Sequence, residues 1–391
     1  MAQKSKIEWT EKTWNPVTGC TKVSQGCKNC YAETFANRKM GEWGKPFAEH
    51  RPDGVIINRC RKFTDVVCHT DRLNQPLKWR KPAKVFVNSM SDLFHEDVPF
   101  EFINKVFAVM VNADKHIFQI LTKRPERALK YFNWAMDQKR GTTLEIWKKL
   151  MEHYYHRDIR NLSPGSICEI EAAGTQIPTS TKEFRLKKYN LPFKNVWIGV
   201  SVEDQKTADE RIPLLLQIPA AIRFLSCEPL LGEIDINRFI GARTFKCKCG
   251  YHDTESELTY LGKDKYYCKN CEERCDIHPA IYWVICGGES GHGARPMHPD
   301  WARKLRDDCQ AAGVPYFFKQ WGEWSPVHNG DVTYISKTKS KMNIRLNGET
   351  EPYKGGYQFY NGYETCIKLG KKAAGRLLDG VEHNGMPGRV K

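Results

Sequence analysis

Three cysteines, Cys20, Cys27 and Cys30, fall within the short stretch Thr18-Gly-Cys-Thr-Lys-Val-Ser-Gln-Gly-Cys-Lys-Asn-Cys-Tyr31, and the next cysteine is Cys60. Thiolates are soft metal ligands, so three on one loop point to a metal centre with a position left open. A closed structural zinc site takes four protein ligands, whereas an iron–sulfur cluster held by three thiolates keeps one iron free to bind a reacting molecule. The same spacing also fits a zinc knuckle completed by a distant His or Cys.

A second group, Cys247, Cys249, Cys268 and Cys271, reads differently. Four thiolates in two close pairs, separated by a hairpin-forming segment, match the closed tetrahedral coordination of structural Zn2+ in a zinc ribbon, with Cys275, His252 or His278 as substitute ligands. Most ribbons of this size are structural staples, and some also touch nucleic acid.

The elements that must position these groups follow a repeated pattern of short apolar run, polar end and helical stretch. The runs are Lys84–Asp92, His116–Arg124, Asn195–Asp204, Ala221–Glu228, Tyr282–Ser290 and Val314–Trp321. Continuous apolar runs are the pattern of parallel strands covered on both faces, and Phe100–Ala113, Lys206–Gln217 and Pro299–Ala312 have helical spacing. Repeated βα units predict an α/β barrel or an open doubly wound sheet. In a barrel, catalytic groups come from the carboxyl ends of the strands. Those ends offer Asn88, Ser89, Ser91 and Asp92; Thr122, Lys123 and Arg124; Ser201, Glu203 and Asp204; Ser226 and Glu228; Gly287 to Ser290; and Lys319 and Gln320. Any one of them has an ordinary reading as a helix cap or buried ion pair, Asp204 and Ser201 as caps in particular.

The chain has 391 residues, 40% hydrophobic, enough for a large domain with insertions, and no run of about 18 apolar residues crosses a bilayer. The N-terminus lacks a signal-peptide core, which predicts a cytoplasmic protein whose fifteen cysteines serve as ligands, hydrophobes or redox groups rather than disulfides. A formal charge of +15 predicts attraction to phosphate-rich partners. Between Arg59 and Lys84 the bases are mixed with Phe63 and Trp79, a composition suited to a nucleic-acid backbone with stacked bases and equally to an ordinary solvated surface.

The segments Trp14-Asn-Pro-Val-Thr-Gly-Cys20, Gly26-Cys-Lys-Asn-Cys-Tyr-Ala32, Leu121-Thr-Lys-Arg-Pro125, Gly199-Val-Ser-Val-Glu-Asp204, Ser226-Cys-Glu-Pro-Leu230, Gly287-Gly-Glu-Ser-Gly291 and Lys371-Lys-Ala-Ala-Gly-Arg-Leu-Leu-Asp-Gly380 carry a resemblance. On them the chain resembles a family of phage and bacterial proteins of poorly defined function with a three-cysteine motif, similar to radical S-adenosylmethionine (SAM) enzymes. The resemblance implies a partial (β/α) TIM-like barrel of radical SAM type with a zinc-ribbon-like insertion. It implies a 4Fe–4S cluster on Cys20, Cys27 and Cys30, SAM chelated to the open iron, and a 5′-deoxyadenosyl radical that abstracts hydrogen from a substrate. Six residues separate Cys20 from Cys27 where the common pattern has three, and no Gly-Gly-Glu follows Val87. Asn88, Ser89, Ser91 and Asp92 stand in that place as partners for the SAM amine.

The remaining expectations follow from this reading. Ser201, Glu203 and Glu228 join the cofactor site; Lys123 and Arg124 take a carboxylate or phosphate; His292 and Arg295 are candidate phosphate ligands. Cys227 and Cys286 are candidate hydrogen donors, although a strand cysteine is more often a small hydrophobe. The expected organisation is barrel with cluster loop over 1–133, a polar helical insertion over 134–191, barrel over 192–243, the ribbon over 244–279, barrel over 280–325 and a closing segment over 326–391. The expected function is a radical SAM-like enzyme that modifies or repairs a nucleic acid or nucleotide, supplied by an electron-donor protein, with any further partner protein left unidentified, without a membrane role, in the host cytoplasm if phage-encoded. The alternative is a non-catalytic zinc-containing nucleic-acid-binding protein.

Overall fold

The computed structural model describes residues 5, 7–38, 41–50, 56–137, 192–240, 243–247, 250–252, 258–260, 266–327, 340–353 and 363–388. Seven strands, β1 (Lys12–Trp14), β2 (Lys84–Val87), β3 (Ile117–Thr122), β4 (Val196–Ser201), β5 (Ile222–Cys227), β6 (Trp283–Gly287) and β7 (Tyr316–Gln320), lie side by side in chain order. All six pairings are parallel. Spatial order equal to chain order means that every crossover steps the same way, and right-handed crossovers then put the helices on one face. The sheet therefore has no switch point. It curls as a half-barrel, a partial (β/α) barrel rather than a doubly wound sheet.

The principal helices are α1 (Tyr31–Asn37), α2 (Phe100–Asn112), α3 (Pro125–Asp137), α4 (Gln205–Gln217) and α5 (Pro299–Ala311). Six strands coincide with the apolar runs read from the sequence; β1, only three residues long, carries too little pattern to be seen there. The helix α3 runs through Asp137 with Trp134 against the core, so it crosses the boundary expected at residue 134. Leu144–Tyr155 lies outside the described residues.

Strand periodicity divides the core in two. On the helix side, Val85, Phe118, Ile198, Leu225, Val284 and Phe318 pack with Phe107, Ile212 and Leu305. On the concave side, Phe86, Trp197, Phe224, Trp283 and Phe317 form an aromatic interior capped by Trp9, whose ring lies 4.8 Å from Phe86 and 6.0 Å from Trp283. Each fully buried side chain of this size contributes about 1.5–3 kcal/mol. Gly199 makes room for one of them, since a Cβ there would fall 2.5 Å from the Phe224 ring.

Arg243–Cys247, Gly250–His252, Leu258–Tyr260, Tyr266–Cys268 and Arg274–Pro279 form a separate five-stranded antiparallel sheet. A four-stranded antiparallel sheet spans Trp324–Pro326, Lys341–Arg345, Thr350–Pro352 and Tyr363–Lys368. The chain beyond it returns along the half-barrel: the Phe318 N–H donates to His383 O at 2.9 Å and Trp283 Nε1 to Gly385 O at 2.8 Å. Among the described residues no helix is long and apolar enough to cross a membrane.

Candidate metal centre

The cysteine loop leaves the carboxyl end of β1 and is built around a turn only glycine fits. Gly19 has φ +96°, and a Cβ there would lie 2.3 Å from Asp65 O. Its N–H donates to Met90 O at 3.0 Å and the Cys20 N–H to Phe63 O at 2.9 Å, so neighbouring segments on both sides fix the first cysteine. Cys27 ends a short 3-10 turn (Gln25–Cys27), and Cys30 is the N-cap of α1.

Polar groups after four other strands clasp this loop. After β2, Ser89 O accepts from the Tyr31 hydroxyl. After β3, the Arg124 guanidinium donates to Thr21 O at 3.1 Å, to Thr21 Oγ1 at 2.9 Å and to Cys20 Sγ at 3.6 Å. After β4, Glu203 accepts from Ser24 Oγ at 3.1 Å and lies where a Cβ on Gly26 would fall, 2.6 Å from the carboxylate. After β6, Arg295 donates to Gln25 O at 2.9 Å and Gly293 O accepts from Asn29 Nδ2 at 2.8 Å.

The strand-end charges are largely committed to one another. Glu203, 1% exposed, meets Lys123 and lies 3.0 Å from Arg211. Asp92 accepts from Thr122 Oγ1 at 2.8 Å and from the Lys123 and Phe94 N–H groups at 3.0 Å, and lies 3.6 Å from Arg124. Glu289 grips Arg295 at 2.6 Å; burial pushes its carboxyl up, but the Arg295 donors outweigh that and hold it below the usual carboxylate range. Glu228 meets Lys319 at 2.6 Å through Oε1, while Oε2 has no partner among the described residues. Removing either partner of the buried Asp92, Glu203 or Glu289 carboxylates leaves an uncompensated charge, which makes those pairs structural; Glu228, 19% exposed, stands apart from them.

The positions expected to bind cofactor thus divide. Asp92, Lys123, Arg124 and Glu203 hold one another and the loop. Ser89 Oγ donates to Asn15 Oδ1 at 3.2 Å, Ser91 Oγ to Val17 O at 2.8 Å, and Ser201 O accepts from Arg211 at 2.7 Å. Asn88 Oδ1 accepts the Val17 N–H at 3.2 Å, which orients the amide and leaves Nδ2 buried without a partner. Asn88 accordingly offers an open donor in Nδ2, suited to an oxygen acceptor. Gln320 Oε1 is a second orphan, an acceptor. Asp204 caps α4 in a reciprocal box with Thr207, the ordinary reading of that residue. Arg295 is taken by Glu289, and His292 is exposed with its carbonyl accepting from Lys368.

Cys227 and Cys286 do not face the mouth. Both are 0% exposed and sit in the helix-side core, because their strands' alternation sends Ser226 and Ile285 to the concave face and the thiols to the other. Burial pushes the Cys286 thiol up to about 12, with the Tyr316 hydroxyl opposing and Glu228 adding. The loop cysteines are half-buried and free. Burial, with the Asp92 charge adding and Arg124 opposing, pushes the Cys20 thiol up to about 11; burial also raises Cys30, opposed by the Glu33 and Ala32 N–H groups of the first turn of α1.

Among the described residues no three Cys, His, Asp or Glu side chains converge as a group for one metal ion. In the antiparallel insertion, Cys247 ends the strand Arg243–Cys247, Cys268 is buried and accepts the Asn270 N–H on its sulfur at 3.3 Å, and Cys271 follows in the turn. Cys249 lies outside the described residues.

Several participants were invisible as such in the sequence: Thr21, Ser24, Asn29, Tyr31, His95 and Arg211. His95 Nε2 meets Thr21 Oγ1 at 2.8 Å. Arg211 alone left a signal. It shares the buried stripe Ala208, Arg211, Ile212, Leu215 of α4, and an arginine on an apolar stripe requires a buried anion.

No curated protein and no solved structure matches the chain. A family model matches residues 4–387, and the chain belongs to the family described as "Protein of unknown function (DUF5131)".

Proposed function

We propose that this chain is an iron–sulfur enzyme of the radical SAM kind, in which Cys20, Cys27 and Cys30 hold a 4Fe–4S cluster and the substrate is a nucleic acid or nucleotide-containing molecule that is modified or repaired. The observation that carries the reading is the loop itself: three free, half-buried thiols at the carboxyl end of the first strand, clasped by groups after four others. A four-iron cube takes its cysteines at separate corners, so thiols distributed along a fixed loop suit it better than a single ion. When bound and reduced, the cluster and SAM supply a 5′-deoxyadenosyl radical, the hydrogen-abstracting species.

The chain's own groups have assignable parts. Arg124 directs its guanidinium at Cys20 Sγ and favours the thiolate. Glu228 Oε2 is the open acceptor for the methionyl ammonium, and Asn88 Nδ2 is the open donor for a cofactor oxygen. Lys123, Glu203 and Arg211 position the loop and exclude water beneath it. In the insertion, Cys247, Cys249, Cys268 and Cys271 hold structural Zn2+, a part supported by the backbone N–H on Cys268 Sγ, the hydrogen bond of a knuckle turn. A reducing cytoplasm and a protein electron donor suit both thiol groups.

The test is anaerobic purification, reconstitution with iron and sulfide, reduction, and addition of SAM. Brown thiolate–iron absorption and release of 5′-deoxyadenosine are expected, and Glu228→Gln should weaken SAM binding about 10-fold or more while leaving iron content unchanged, the loss of one hydrogen bond to a charged group. Zinc in the loop without iron, or an intact cluster that never cleaves SAM with nucleic acids present, overturns the reading and favours the zinc-containing binder.

A further inference from the structure

Immediately after Cys30, α1 carries Tyr31, Phe35 and Arg38 at i, i+4 and i+7, one face of the helix and its C-cap. Tyr31 is 57% and Phe35 43% exposed, among the few large apolar side chains on the described surface. The Tyr31 hydroxyl is turned inward to Ser89 O at the end of β2, so what it shows to solvent is ring. Lys28 and Arg38 flank the rings, both exposed and without an ion-pair partner among the described residues, and the local carboxylate Glu33 is answered by Lys22 at 2.9 Å. Two rings on the lip of the mouth, flanked in sequence by cations without an ion-pair partner among the described residues, are unfavourable as plain surface and complementary to a chain of bases and phosphates.

We infer that the exposed face of α1 is the platform on which a single-stranded nucleic acid docks, with successive bases on Tyr31 and Phe35 and phosphates on Lys28 and Arg38. The inference deepens the proposed function and rests on its nucleic-acid substrate, but not on its radical chemistry. Base–aromatic stacking tolerates any base, whereas an intact duplex keeps its base faces covered, so the platform selects strandedness before sequence. Docking there brings the strand beside the cysteine loop.

The experiment is fluorescence anisotropy of the full chain with short labelled single-stranded DNA and RNA of mixed sequence, and the matching duplex, over a salt series. Single strands should bind more tightly than the duplex. Phe35→Ala should weaken binding about tenfold, and Phe35→Trp should keep it within about twofold, with little change in thermal melting because Phe35 is 43% exposed. Arg38→Gln should lower the slope of log affinity against log salt by about 0.7, one phosphate contact on a single strand. Equal binding by Phe35→Ala and the parent chain, or no binding at low salt, overturns the inference. So does a Phe35→Ala chain that binds nucleic acid normally but accepts electrons slowly from a reduced flavodoxin, which would make the face a protein dock. If SAM is never cleaved yet binding depends on Phe35, the platform stands and the radical reading falls; cleavage without Phe35-dependent binding has the reverse meaning.

Discussion

Two groups of three thiols stand in different parts of one half-barrel. Cys20, Cys27 and Cys30 lie on a loop at its mouth, half-exposed and surrounded by donors; Cys227, Cys286 and Cys309 lie under the helices, each 0% exposed. The buried three influence one another and Tyr316, and burial raises every one of them. Chemically the six groups are alike. What separates the two groups is the backbone that carries them: a loop offers its thiols outward with N–H and guanidinium groups nearby, whereas strands buried on both faces and the inward face of α5 deliver theirs to the core.

The sharpest way to break this contrast is to exchange alanine into both groups. Cys20→Ala, Cys27→Ala or Cys30→Ala should each abolish iron incorporation and SAM cleavage with little change in melting. Cys227→Ala should leave iron untouched and cost about 1–2 kcal/mol in urea unfolding through the small cavity it leaves. Iron retained in any loop variant, or lost from Cys227→Ala, would reverse the assignment.

The supports of the loop come next. Glu203→Ala removes the anion shared by Lys123, Arg211 and Ser24 and should destabilise the fold by about 3–5 kcal/mol, the cost of stranding buried cations. Gly26→Ala tests the same junction from the loop side, because its Cβ would need the space of the Glu203 carboxylate. Reduced iron retention is the expected readout; full retention would mean that the clasp is dispensable.

The smallest effect is a pH dependence that belongs to the frame and not to the thiols. Burial lowers the pKa of His69, His95, His116 and His298 from the ordinary value of 6.5, with Arg neighbours adding to three of them and Lys115 and Lys12 adding to His116. The unfolded chain therefore takes up protons first as pH falls. Their contribution is full above about pH 6.5 and is lost as pH drops from there through the depressed folded values. Urea midpoints measured at neutral pH and near pH 5 should show the fall, and a flat profile between them would contradict it.

How much of this was legible beforehand depended on the kind of interaction. Apolar runs marked six parallel strands, Asp204 sat where a cap should sit, and the cysteine loop stood apart by spacing alone. The facing of Cys227 and Cys286 was not legible, because a strand apolar on both sides shows no alternation to read. Nor was the direction of the Asn88 amide, which depends on an N–H of Val17, 71 residues away.

By itself, then, the order of residues determined the parallel βα rhythm, the helix cap and the presence of three clustered thiols, all of them local patterns that repeat with the period of their element. Only the tertiary structure decided which carboxylates are already answered and which atoms remain open. Ser24 and Glu203 meet across 179 residues of chain, and Lys319 meets Glu228 across 91, because Coulomb attraction and hydrogen bonding act through space and no spacing along the chain encodes them.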